Sequence, residues 1–117
     1  MSLYWHVTDP DAAAAILEEG FAGGWGDVGF GVYLFADLGA AEDYAAAGGW
    51  DGSLGATAIL EVEADEALIE GIVPDPGWPN PGDYLHVRHV PMADDGEETR
   101  WKPLMRIVPG PAPEPAG

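Results

Sequence analysis

The sequence predicts an α+β domain on a mostly antiparallel or split sheet, and three observations carry that prediction. Short apolar, β-branched segments first alternate with two helix signals and then run on without helices. The chain carries 17 Gly and 11 Pro, as expected of long loops around a sheet. Its hydrophobic fraction of 47% in 117 residues is enough for one core. A single domain over residues 1–108 follows. The Pro-rich tail over 109–117, "PGPAPEPAG", reads as disordered.

Taken in order, "LYWHVT" (Leu3–Thr8) is aromatic and β-branched and predicts the first strand. Asp9-Pro10 then supplies an N-cap followed by proline at the first helical position. The helix places Ala13, Ile16 and Leu17 on one face and stops at Gly20, with Phe21 placed to dock after the stop. Ala22–Gly31 reads as a Gly-rich loop. Val32–Ala36 is a continuous apolar run, expected to be a strand buried on both faces. Asp37 can cap a second helix ending near Gly48-Gly49, and "WDGSLG" reads as a loop. Ala56–Ala64 is a third strand in which Ala58, Leu60 and Val62 form one apolar face.

The second half predicts strands only. A turn precedes a strand at Ile69–Val73. "PDPGWPNPGD" holds four prolines in ten residues and cannot be regular. "YLHVRHV" (Tyr84–Val90) alternates as a strand. "PMADDGEET" is an acidic loop, and "RWKPLMRIV" is a last strand that Pro103 assigns to an edge or bulge.

Charge narrows the partners. Four Lys+Arg against 21 Asp+Glu give a formal net charge of -17. Phosphate-backbone binding depends on basic side chains, so nucleic acid is disfavoured as a partner, and so are anionic membranes. A basic protein or a small molecule fits better, although such acidity is most often solvated surface. Cysteine is absent, which excludes disulfides and thiolate metal sites. No apolar run reaches the ~18 residues of a membrane span, and "MSLYWHVTDP" has no basic segment leading into an apolar one. The expectation is a cytoplasmic protein of undetermined oligomeric state with no metal.

The residues that could carry chemistry sit on strands or at their ends. They are His6 and Thr8 on the first strand, Tyr33 on the second, and an acid near the start of a late strand. Singly, a strand His or Tyr is more often structural than catalytic. His86 and His89 lie three apart on one strand and so face opposite ways, which prevents joint chelation of one metal; one of them could join His6. Trp25, Trp50 and Trp78 lie in Gly/Pro-rich segments and could line a ligand or pin loops. The glycines precede a strand, so they are neither a P-loop nor a dinucleotide fingerprint.

Read in series, "YWHVT", "AILEEGF", "GFGVYLFAD", "AAEDYA" and "AILEVEA" resemble the ADP-ribosyltransferase-like superfamily in its diphtheria-toxin/poly(ADP-ribose)-polymerase branch. The match covers roughly residues 3–64. The family's elements are an aromatic-His-x-Ser/Thr strand, a helix ending before Gly and an apolar residue, a Gly-x-Gly-Val-Tyr strand, a helix with Tyr-Ala, and a strand carrying Glu-Val.

The resemblance implies a split sheet with two short helices and an NAD cleft between the sheets. It further implies transfer of ADP-ribose from NAD to an acceptor with release of nicotinamide. Tyr33 would stack on the nicotinamide and Tyr44 would supply the second ring. His6 would hydrogen-bond the adenosine-side ribose with support from Thr8, and Gly31 would let backbone approach the ligand. The family's catalytic Glu opens a late strand; the corresponding position here is Asp83, one methylene shorter, and Glu98, with Glu97 behind it, competes. Cleavage develops oxocarbenium character, which a carboxylate near the ribose stabilises. The size suits a toxin-like effector.

Other outcomes share the fold or the charge. An NAD glycohydrolase would lack the acceptor site. An RNA 2′-phosphotransferase would need more basic residues than the chain has. A degenerate module would bind NAD or protein without turnover. An acidic decoy would show a carboxylate stripe and no cleft joining His6 to Tyr33.

Overall fold

The computed structural model of the chain describes residues 2–26, 29–48, 56–71, 87–92 and 101–108. The first strand, β1 (Ser2–Thr8), runs into α1 (Pro10–Glu19). Asp9 starts that helix as expected: its side chain accepts a bond from the Ala12 N–H at 2.8 Å, satisfying one of the orphan donors of the first turn. Gly20 ends it with φ +89°, a backbone region that costs an L side chain strain. A Cβ there would also stand 2.9 Å from the Trp101 carbonyl oxygen. Phe21 docks after the stop, 2% exposed, and is bridged to Trp101.

The Gly-rich segment departs from its expected loop. β2 (Gly24–Gly26) pairs antiparallel with the start of β3 (Gly29–Phe35). β3 therefore begins three residues before the apolar run, because strand pairing recruits glycines that no side-chain pattern marks. Asp37 caps α2 (Leu38–Ala46) by accepting from the Ala40 N–H at 3.0 Å. β4 (Ala58–Ala64) follows, then a single 3-10 turn (Glu66–Leu68) and β5 (Glu70–Gly71), the described part of the strand expected over Ile69–Val73. β6 (Val87–Pro91) and β7 (Leu104–Val108) complete the described elements. The expected strand at Tyr84–Val90 is thus observed from Val87, its first three residues lying outside the described range.

Among the described residues these strands form one antiparallel sheet, ordered β5-β6-β3-β1-β4-β7, with β2 appended to β3. The α+β class and the antiparallel pairing match the expectation. The sheet is continuous rather than two separate sheets, but its centre is barely joined. β1 and β3 share one register pair, Trp5↔Phe35, whereas β1 and β4 pair at every residue from Ser2↔Ala64 to Thr8↔Ala58. Pro103 sits just before β7, which among the described residues pairs with β4 alone, in keeping with an edge.

β3 and β4 both run antiparallel to β1 and so parallel to each other. The helix between them, α2, must cross β1, and it buries Ala40, Ala41 and Ala45 in doing so. These small side chains let the helix lie close to the strands. α1 covers the opposite face, where Tyr4, Ala13, Phe21, Val32, Leu34, Leu60 and Val62 form the larger core. Phe35, Ala40, Ala41 and Val87 form the smaller one on the α2 side.

Candidate active site

β1 and β3 open into a cleft beyond their single shared pair. Strand alternation directs His6 and Thr8 of β1 to the α1 side. The His6 ring sits edge-on to Phe21, with centroids 4.9 Å apart. Its Nδ1 lies 2.8 Å from the Tyr33 carbonyl oxygen. A carbonyl only accepts, so Nδ1 carries the proton and Nε2 is left as the acceptor of the neutral ring. The imidazole thus takes the β3 carbonyl facing β1, and the two strands separate around it.

The cleft measures about 380 Å³ and is lined by His6, Thr8, Gly31 and Tyr33 from the two strands, with Ile16 and Phe21 among the residues closing it from α1 and the segment after it. Most of the lining is apolar, and among the described residues Glu19 is its one formally charged member. His6 keeps part of its surface accessible, yet the protein packed around it desolvates the charged form. Burial pushes the imidazole below its usual value, and the bond to Tyr33 offsets only part of that. A neutral ring at physiological pH follows.

Tyr33 contributes to the cleft from the other side of the sheet. Its ring belongs to the α2-side cluster and lies 4.7 Å from the His89 ring, its register partner on β6. His89 is 3% exposed; it backs Tyr33 and is not part of the lining. Gly31 completes the row. A Cβ at Gly31 would stand 2.1 Å from the Val90 carbonyl oxygen and 2.6 Å from His89 Nε2, so only glycine permits this approach of β3 to β6.

Four of the sequence-predicted residues, His6, Thr8, Gly31 and Tyr33, therefore meet at one cleft. Such a cleft is what the acidic-decoy reading expects to be missing. Tyr44 does not line it; the ring packs at 5.2 Å on Phe35 under α2. Asp83 and Glu98, the two candidate acids, lie outside the described residues, as do His86, Trp50 and Trp78. Sequence reasoning missed the wall made by Ile16, Glu19 and Phe21. Its signal was Gly20-Phe21, which marked Phe21 as docked but not the ring it docks against. Among the described residues no group of three or more His, Cys, Asp or Glu is placed to hold a metal, and no helix is long and apolar enough to cross a membrane.

Comparison with protein-family models, curated proteins and solved structures returns no match to this chain.

Proposed function

We propose that the chain is an NAD-dependent mono-ADP-ribosyltransferase of the ADP-ribosyltransferase-like fold, which breaks the bond between ribose and nicotinamide and passes ADP-ribose to an acceptor, a basic protein or a small molecule. The observation that carries the proposal is the convergence of His6, Thr8, Gly31 and Tyr33 on one cleft where the sheet opens. The residues fit the nicotinamide–ribose end of NAD, which moves His6 and Thr8 from the adenosine-side ribose that the resemblance implies to the nicotinamide-side one. Ile16 and Phe21 give apolar walls for a flat heterocycle, Gly31 brings bare backbone close, and His6 and Thr8 offer polar atoms to ribose hydroxyls. A cationic pyridinium also suits a lining whose one charge among the described residues is Glu19. Those described lining residues include no Lys or Arg to neutralise a pyrophosphate.

Each residue has a stated task in this reading. His6, fixed by its bond to the Tyr33 carbonyl, accepts from a ribose hydroxyl through Nε2. Tyr33 contributes the backbone carbonyl that fixes His6, while its ring packs on His89 on the opposite face of the sheet. Asp83 or Glu98 supplies the carboxylate that stabilises the cation formed at the ribose.

Purified protein incubated with NAD, with free nicotinamide followed by chromatography, tests the proposal. Wild type should release nicotinamide, and Asp83→Ala or Glu98→Ala should abolish release and so name the acid. Thr8→Ala should weaken NAD binding while the domain stays folded. Binding without release at high enzyme concentration would leave an NAD-binding module in place of an enzyme.

A further inference from the structure

We infer that the outer edge of β7, with the groove beside it, is a docking site for an extended, basic segment of a partner protein, which adds to the sheet as a further strand. This is independent of the reaction proposed above and uses the opposite side of β4 from the cleft.

Among the described residues β7 pairs with β4 and nothing else. Its five residues, Leu104–Val108, therefore present a row of outward backbone groups that an extended chain can pair with. Edge strands in stable proteins are usually blunted by charge or covered. Here Pro103 and Lys102 guard only the entry, and the strand itself reads Leu-Met-Arg-Ile-Val. Leu104 is 64% and Ile107 44% exposed. They lie on opposite faces, as strand alternation requires, so an added strand would cover both at once. Arg106, the one cation of β7, is already paired with Glu61.

A groove adjoins this edge. Register aligns Leu3, Glu63 and Leu104 in one row across β1, β4 and β7. Together with Glu61, Met105 and Arg106 they line a depression of about 410 Å³. Leu3 is 42% exposed and Glu63 is exposed, so the groove offers apolar floor beside a carboxylate. That pattern asks for an apolar side chain over Leu104 and a long cationic one reaching Glu63.

Charge selects among the possible occupants. A second copy of a chain with formal net charge -17 would be repelled at low salt, whereas a Lys/Arg-bearing strand would be steered in. Main-chain pairing would supply the affinity, and alternate side chains the specificity.

The test uses the full chain and a labelled peptide of alternating Lys and Val, followed by fluorescence anisotropy at low salt. Two controls have the same composition: one with alternate backbone nitrogens methylated, one with Lys and Val in separate blocks. The alternating peptide should bind about tenfold more tightly than either control. Backbone amide shifts on binding should cluster at Leu104–Val108, and Leu104→Lys with Glu63→Lys should abolish the preference. Equal binding of the methylated and unmethylated peptides would overturn the proposal in favour of charge attraction alone. So would the absence of binding by all three peptides, or amide shifts centred on the His6 cleft. A protein that sediments as a dimer with its β7 amides protected would assign the edge to a second copy.

Discussion

The two edges of β1 contrast. Along β4 the strand is zipped from end to end; along β3 it is joined once, at Trp5↔Phe35. The first seam carries Leu60 and Val62, both fully buried, and its register leaves no room for a ligand. On the second, a single imidazole reaches the Tyr33 carbonyl and the chain builds a cleft around it. One strand thus anchors the core on one side and opens a site on the other. The difference lies in one polar side chain, His6, standing between strands where a continued ladder would close.

Breaking the zipped seam should have the largest effect. Leu60→Ala removes a side chain with no exposure at the centre of the core and should cost about 2–5 kcal/mol of stability, read from denaturant unfolding. Gly31→Ala tests the far side of β3. Its Cβ would press on the Val90 carbonyl and His89, so we expect a loss of about 1–3 kcal/mol, read from denaturant unfolding.

His6→Ala should act mainly on the open seam. It deletes the bond to Tyr33, with an expected stability loss of about 0.5–1.5 kcal/mol, and should weaken binding of NAD. Unchanged NAD affinity in that variant would remove His6 from the site. The lining also makes a sharper prediction about ligand pieces. With no Lys or Arg among the described lining residues, nicotinamide riboside should compete with NAD at an affinity within about tenfold of it, measured by displacement.

The smallest effect is a pH dependence. Burial lowers the His6 value in the folded protein relative to 6.5. The unfolded chain therefore binds this proton first as pH falls. The contribution of His6 to stability is complete above pH 6.5 and declines as pH drops from there through the folded value. His6→Gln should flatten that part of the stability–pH profile once the carboxylate background is subtracted.

Much of the fold was legible because it is written locally. Asp9-Pro10 and Asp37 mark both helix starts, Gly20 marks a stop, and the burial of β4 follows its alternation. The β2–β3 hairpin was not legible, since Gly24–Gly26 and Gly29–Gly31 carry no side-chain period and become strand only by pairing with each other. For the site, His6, Thr8, Gly31 and Tyr33 were readable as a set. That His6 and Tyr33 project from opposite faces was not, because it depends on how β1 is registered against β3. Tyr44 shares the α2-side cluster with Tyr33: α2 crosses β1, and the crossing sets the Tyr44 ring on Phe35.

The central place of β1 has a consequence for how the molecule assembles. Its partners on β4 lie fifty or more residues further along the chain, so this pairing is among the less local contacts in the domain and closes slowly. The cleft lies between β1 and β3, so it is complete only once these two strands have come together. Refolding followed by ligand fluorescence and by backbone circular dichroism should therefore finish together, with no early species that binds.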